Sequence, residues 1–230
     1  MITSHDSRKY QRSFLKEEWP VLFSLVAISI LYSMLGESMA NILPFPIGFP
    51  IMLRIISLIL GGMLVLITVV AGLLGKIQIA RGATIFFSSI VTVYLISGVT
   101  LLVASLPSLG GSQGGLILLR DAAIVWIINV LIFAIWFWFI DGGGPAKRRN
   151  AQPTRKDFLF PQEAIKIPGW EQWQPNYTSY LFIAFHNCST FGPTDTYVLS
   201  NRGKLFVTMQ VIISLITLTM FVARALTIVS

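Results

Sequence analysis

Residues 189–196 concentrate the side chains of this sequence that could bind a cation. Hydroxyl groups and one carboxylate follow each other closely, in the order Ser189, Thr190, Thr194, Asp195 and Thr196. Oxygen atoms of this kind, arranged as a ring, can replace part of the hydration shell of a cation. One chain supplies too few of them to surround an ion, so a complete ring would need several identical chains around an axis.

The segment before this loop, residues 177–188, is apolar in its middle but short. As a helix it would span roughly 18 Å, against the ~30 Å of a hydrocarbon core. Asn176, Thr178 or Ser179 could cap its start, and Pro193 prevents the helix from continuing. The pattern predicts a half-helix that enters the membrane and returns as a re-entrant loop. A helix lying on the surface, followed by an ordinary loop, is the alternative.

The loop also has the spacing of a known motif. Thr190, Gly192 and Asp195 match three positions of the Thr-x-Gly-Tyr-Gly-Asp filter of potassium-channel-like proteins. A basic residue, Arg202 or Lys204, then opens a long apolar helix, as in that family. The segment therefore resembles the potassium-channel-like pore-loop superfamily. It also resembles uncharacterised bacterial membrane proteins with a Ser/Thr-Asp loop before the last helix.

This resemblance covers residues 177–228 and implies a homo-oligomer, with a tetramer favoured, that conducts monovalent cations. Pro193 and Thr194 stand where the family has Tyr and the second Gly. Proline fixes φ near −65° and a β-branched threonine disfavours positive φ, so a filter of successive inward carbonyls is not expected. The expected ring is one of hydroxyl and carboxylate groups, which predicts loose selectivity among cations.

Three further ionisable residues fall within or beside apolar runs. Glu37 lies near the end of the first run, while Arg54 and Arg120 lie near the starts of later runs. Charged groups inside a membrane are costly and often functional. Glu37 could form an ion pair with Arg54 or Arg120 near the outer face, or it could relay protons or cations.

Composition and hydropathy indicate a membrane protein. Hydrophobic residues make up 54% of the chain, charged residues 12%, and the mean hydropathy is +0.74. A soluble domain usually carries about a quarter charged residues. Five runs approach the ~20 residues that a spanning helix needs: Val21–Met39, Ile51–Leu74, Thr84–Leu106, Ala122–Ile140 and Leu205–Val229. The predicted fold is an all-α integral membrane protein with five transmembrane helices, one re-entrant half-helix and a pore-like loop.

Basic residues are distributed unevenly between the two predicted sides. The N-terminal segment, the loop after the second run and residues 147–176 are rich in Lys and Arg, whereas loops 41–50 and 107–119 contain none. The positive-inside rule therefore places the N-terminus in the cytoplasm, in a plasma (inner) membrane. Potassium channels present their loop from outside, so either this architecture is inverted or the charge rule does not hold for this chain.

The chain accordingly divides into three regions. Residues 1–146 hold a basic N-terminal segment and four transmembrane helices. Residues 147–176 form an interfacial linker, and residues 177–230 hold the half-helix, the loop and the last helix. Lys147, Arg148 and Arg149 are expected at the depth of anionic lipid headgroups.

Several classes of function find no support in the sequence. The chain has one cysteine, Cys188, and two histidines. No acid pair, nucleophile with a base, phosphate loop or metal-ligand spacing occurs, so neither an enzyme nor a cofactor is expected. The positive charge flanks apolar runs, which favours lipid over nucleic acid. Two hypotheses remain: a cation-conducting pore built by a homo-oligomer around residues 189–196, and a non-conducting membrane scaffold or partner subunit with a channel-like fold. In the second hypothesis Asp195 caps the loop or pairs with Arg202 or Lys204.

The orientation is testable by labelling introduced cysteines in intact cells. We expect Gln152→Cys to be protected from an impermeant external thiol reagent and Ser230→Cys to react, because the charge distribution places the two positions on opposite sides. Labelling after cell lysis is the control for reactivity. Labelling of position 152 in intact cells would contradict the predicted orientation.

Overall fold

The computed structural model describes residues 4–35, 49–105, 112–149, 155–165, 168–190 and 195–229. Nearly all of them are helical. Four long helices come first: α1 (Ser4–Met34), α2 (Phe49–Leu73), α3 (Ile77–Ser105) and α4 (Ser112–Ile140). After a 3-10 turn at Asp141–Gly143, the chain forms α5 (Pro145–Arg149), β1 (Phe158–Leu159), α6 (Pro161–Ala164), α7 (Tyr177–Thr190), β2 (Tyr197–Val198) and α8 (Asn201–Val229).

The predicted apolar runs fall in helices. Within the described part of the chain, three helices contain segments long and apolar enough to cross a membrane, namely Gln78–Thr100, Leu119–Gly143 and Asn201–Ala223. Two shorter apolar helical segments lie at Glu18–Met34 and Leu58–Leu73. This set of helices indicates a multi-pass membrane protein. α1 begins well before its predicted run and is described to Met34, and the last predicted residues of that run, 36–39, lie outside the described residues.

α4 is the central helix of the bundle. It contacts α1, α3, α7 and α8, and its residues Ile128, Ile132, Phe133 and Phe137 are fully buried. Such a helix is apolar on all sides because neighbouring helices surround it. By contrast, α2 packs against α1 and α3 and exposes many apolar side chains, as helices do where lipid covers them.

Two buried aspartates organise the chain where α4 ends. Asp141 Oδ1 accepts hydrogen bonds from the backbone N–H groups of Asp157 and Phe158, at 2.8 and 3.1 Å. Its Oδ2 accepts one from the Tyr180 hydroxyl. Asp157 accepts two hydrogen bonds from the Arg202 guanidinium and others from Ser200 and the Gly142 N–H. These two carboxylates join the end of α4 to the linker and to the starts of α7 and α8.

A short antiparallel ribbon reinforces this junction. Phe158 pairs with Val198, and Leu159 pairs with Tyr197. The Leu199 N–H also donates to the Asp157 carbonyl oxygen at 2.8 Å. The stretch just before α8 is therefore held against the linker.

The basic regions of the sequence lie together at this end of the bundle, which is called here the Asp141 end. Trp138 Nε1 donates to Glu18 of α1 at 3.4 Å. The guanidinium of Arg81, at the start of α3, lies beside Gly144, with Cζ 3.3 Å from where a Cβ of Gly144 would stand. The predicted grouping of these segments on one side agrees with this arrangement. The side of the membrane on which they lie stays a prediction.

The Asp157–Arg202 ion pair can be tested by neutralising its acid. Asp157→Asn removes the charge that faces Arg202 and leaves the guanidinium uncompensated at the junction. We expect a loss of about 2 kcal/mol, less than for a fully buried pair because the Arg202 side chain is 54% exposed. The measurement is the free energy of unfolding in detergent. Glu163→Gln is the matched control, since Glu163 is less buried than Asp157 and pairs with Lys156, without the further donors Ser200 and Gly142 N–H that bind Asp157. An equal loss in both variants would contradict the assigned role.

The same pair predicts how stability depends on pH. Burial raises the pKa of Asp157, but hydrogen bonds from Arg202, Ser200 and the Gly142 N–H, with the Arg202 charge, outweigh burial and lower it. Such a carboxylate stabilises the folded state above the unfolded pKa, about 4, and this contribution is lost as pH falls through the folded value. The stability difference between wild type and Asp157→Asn should therefore be constant near neutral pH and shrink below about pH 4.

Candidate pore-loop site

The short helix predicted over residues 177–188 is present as α7, which has 14 residues, Tyr177–Thr190. Its start lies at the Asp141 end, where the Tyr177 ring packs edge-on against Trp138 and the Tyr177 hydroxyl donates to Ser24 at 2.8 Å. Asn176 is the residue that caps it, because its side-chain oxygen accepts from the Ser179 N–H at 3.1 Å. Tyr180 is fully buried and hydrogen-bonded to Asp141, which fixes the first turn.

The other end of α7 lies far from the Asp141 end. The Cys188 carbonyl oxygen accepts from Trp126 Nε1 of α4 at 3.4 Å and from the Ser214 hydroxyl of α8 at 2.8 Å. Along α4, Trp126 is about 18 Å of helix away from Trp138, which contacts the start of α7. α7 thus runs alongside the second half of α4 and ends near its middle.

A buried set of polar side chains surrounds this end of α7. We call it the Gln210 cluster, and it comprises Asn129, Asn187, Cys188, Gln210 and Ser214. All five are at most 2% exposed. They come from α4, α7 and α8, so the cluster bridges three helices within an otherwise apolar region.

Gln210 is the centre of this cluster. Its Nε2 donates to the Ala184 carbonyl oxygen at 2.9 Å and to Cys188 Sγ at 3.1 Å, and its Oε1 accepts from Asn187 Nδ2 at 3.1 Å. Asn129 Nδ2 donates to the backbone carbonyl oxygen of Gln210 at 3.2 Å. Among the described residues, Asn129 Oδ1 has no hydrogen-bond partner. The cluster supplies polar partners where no water is expected, which a helix end in an apolar layer requires.

The loop residues differ in exposure. Ser189 and Thr190 are exposed at the end of α7, and their hydroxyls donate to the carbonyl oxygens of Phe185 and His186. Their lone pairs stay available to accept a donor or to face a cation. Asp195 is exposed, whereas Thr196 is buried and donates to Asp195 Oδ1 at 3.2 Å.

The remaining two predicted loop residues, Gly192 and Thr194, lie outside the described residues. After them the chain is back at the Asp141 end by Tyr197, which pairs with Leu159 of the linker. The segment from α7 to β2 therefore starts and returns at the same end of the bundle.

The predicted intramembrane charges are only partly described. Arg120 forms an ion pair with the neighbouring Asp121 at 3.0 Å. Glu37 and the side chain of Arg54 lie outside the described part of the chain, so the proposed pairing among these three stays a prediction. Arg202, considered above as a partner for Asp195, instead binds Asp157.

The basic triplet after α4 separates into different environments. Lys147 is exposed, whereas Arg148 turns into the protein. The Arg148 guanidinium donates to the carbonyl oxygens of Trp138 and Asp141 and stacks over the rings of Trp138 and Tyr180. Arg148 thus binds the C-terminal end of α4, as cations do at helix C-termini. The Arg149 side chain lies outside the described residues.

Sequence reasoning missed the residues that hold the site together. Gln210 was not singled out, although a carboxamide within an apolar helix needs partners. Asn129, a second carboxamide within an apolar helix, bridges α4 and α8. In the described ranges, no group of three or more His, Cys, Asp or Glu side chains could hold a metal ion.

Comparison with protein-family models, with curated proteins and with solved structures finds no match for this chain.

Removing the Gln210 carboxamide should loosen the end of α7. Gln210→Leu keeps a similar volume but leaves Asn187 Nδ2 without its acceptor, which we expect to cost about 2 kcal/mol. The readout is the rate at which N-ethylmaleimide labels Cys188, the single cysteine and a buried one. Labelling should accelerate roughly tenfold or more, in proportion to the opening equilibrium. Thr208→Val, at an exposed position of the same helix, is the control. Unchanged labelling in Gln210→Leu would contradict the role of the cluster.

Proposed function

We propose that this protein spans the membrane five times and that identical chains assemble around residues 189–196 to conduct cations with loose selectivity. The observation that carries the proposal is the course of α7. This helix starts at the Asp141 end, stops near the middle of α4, and is followed by a chain that is back at the same end by Tyr197. A re-entrant half-helix between two long apolar helices is the arrangement that pore-forming membrane proteins use.

The polarity of α7 supports a cation as the permeating species. The C-terminal end of a helix carries a partial negative charge, equivalent to about half an elementary charge. The C-terminal end of α7 lies near the middle of α4. Measured along α4, it is about 18 Å of helix away from the start of α7. Ser189 and Thr190 are exposed there, so their oxygens face out of the single chain, toward lipid or toward neighbouring chains.

Asp195 supports a ring of carboxylates near the entrance. Its side chain is exposed and, in the described part of the chain, accepts a hydrogen bond from Thr196. It therefore differs from Asp141 and Asp157, which are buried and bound by several donors. In a symmetric oligomer, exposed carboxylates close to the axis would raise the local concentration of cations.

A non-conducting scaffold or partner subunit is the second candidate. This candidate is supported by contacts between the end of the loop and the rest of the protein. Thr196 is buried, and Tyr197 and Val198 pair with the linker. In this alternative the Gln210 cluster and the two aspartates stabilise a membrane-embedded fold, and Asp195 serves only as the acceptor for Thr196.

The orientation belongs to the proposal as well. The Asp141 end gathers the basic regions of the sequence, so we place it in the cytoplasm of a cell with the protein in its plasma (inner) membrane. The loop would then enter the membrane from the cytoplasmic side.

Neutralising Asp195 separates the two candidates. Asp195→Asn keeps an oxygen that can accept from Thr196 but removes the charge. If Asp195 forms a ring at the entrance, cation conductance of the purified oligomer in planar bilayers should fall roughly two- to fivefold at low salt, and less at high salt where charges are screened. Glu171→Gln is the control, because it removes an exposed acid from the linker.

The outcome also depends on the assembly. A wild-type oligomer that is well folded and silent under several cations and voltages would contradict the pore and favour the scaffold. Equal conductance in wild type and Asp195→Asn would indicate a pore in which Asp195 does not form a ring of carboxylates. A symmetric oligomer with residues 189–196 at its axis, seen directly, would support the proposal independently of conductance.

A further inference from the structure

Two basic side chains lie over the turn that ends α4. The Lys147 side chain crosses Gly143, with Cδ 2.8 Å from where a Cβ of Gly143 would stand. The Arg81 guanidinium lies beside Gly144, with Cζ and Nη1 3.3 and 3.5 Å from the corresponding position. The two cations therefore approach successive residues of one turn, although they come from α3 and from α5.

The glycines make this approach possible. Gly143 and Gly144 have φ values of 77° and 96°, which side-chain-bearing residues rarely adopt. A Cβ at Gly143 would also overlap the Lys147 side chain, and one at Gly144 would stand 3.2 Å from the Phe139 carbonyl oxygen. The turn is thus shaped so that both basic side chains can lie against its backbone.

The two aspartates described at this turn bind other partners. Asp141 binds Tyr180 and two backbone N–H groups, and Asp157 binds Arg202. Among the described residues, no carboxylate is paired with Arg81 or Lys147. Lys147 is exposed and Arg81 is half-buried, so an anion can reach them.

We propose that Arg81 and Lys147 form a binding site for a phosphate group over the Gly143–Gly144 turn. A guanidinium offers paired donors to phosphate oxygens, and an ammonium group adds a flexible point charge. The turn lies where the apolar segment Leu119–Gly143 ends, which is the depth of lipid headgroups for a helix that crosses a membrane. The group can come from an anionic phospholipid or from a free phosphate compound. This proposal does not depend on conduction.

Native mass spectrometry of the purified full-length protein with phosphatidylglycerol and with phosphatidylcholine tests this site. The wild type should retain phosphatidylglycerol in preference to phosphatidylcholine. The double variant Arg81→Gln/Lys147→Gln should bind phosphatidylglycerol roughly tenfold or more weakly, since each basic residue near the membrane surface contributes about a factor of five. The control Arg155→Gln/Lys204→Gln removes the same charge from two other exposed positions of this end, so it measures the general electrostatic attraction to an anionic surface and should lose less affinity than the test variant.

A parallel titration with inorganic phosphate identifies the source of the group. Protection against thermal unfolding by phosphate, without preference for phosphatidylglycerol, would support the site with a free phosphate compound as its ligand, provided the double variant loses the effect. The charge-retaining variant Arg81→Lys/Lys147→Arg should keep binding, which guards against misfolding of the neutral variant. Wild-type binding in the neutral double variant, an equal loss in the control, or loss in the charge-retaining variant would overturn the proposal.

Discussion

A helix that ends inside an apolar layer leaves backbone carbonyl groups that water cannot reach, and this constraint shapes the centre of the molecule. α7 ends near the middle of α4, so its last carbonyl groups need donors from other helices. Trp126 and Ser214 supply them to the Cys188 carbonyl oxygen in the last turn, and Gln210 adds a hydrogen bond to the Ala184 carbonyl oxygen one turn earlier. Without those side chains a half-length helix would be costly at this position, and the loop after it would have no fixed starting point.

The other end of α7 is held by charge and by aromatic packing. Asp141 fixes Tyr180, while Arg148 lies over the rings of Trp138 and Tyr180 and binds the carbonyl oxygens that end α4. The turn, the linker and the start of α8 meet there through Asp157. A change at this junction should therefore reach the loop by moving both segments that flank it, α7 and β2.

The helical framework could be predicted from the sequence because hydropathy reports directly on burial in lipid or in protein. The short helix α7 could also be predicted, since its length and the polar break after it are local features. The contacts that join the helices and the linker could not be predicted. The partner of Arg202 was sought in the nearby loop, at Asp195, whereas the structure places Asp157 against it from the linker. Contacts between residues far apart in sequence depend on how the helices pack, and the sequence patterns of one chain do not reveal that packing. The Gln210 cluster was missed for the same reason, because its hydrogen bonds join three separate helices.

Asp141, Asp157 and Asp195 show how burial separates structural acids from an acid that is able to face an ion. Asp141 and Asp157 are each 1% exposed, and backbone N–H groups, hydroxyls or a guanidinium satisfy their oxygens. Such carboxylates cannot approach a hydrated ion without losing those bonds. Asp195 is exposed and has a single neighbouring hydroxyl, Thr196, as its described donor. Its oxygens can face a cation at little cost to the fold. If the loop acts on ions, Asp195 is the carboxylate that can do so, and its conservative neutralisation separates function from stability.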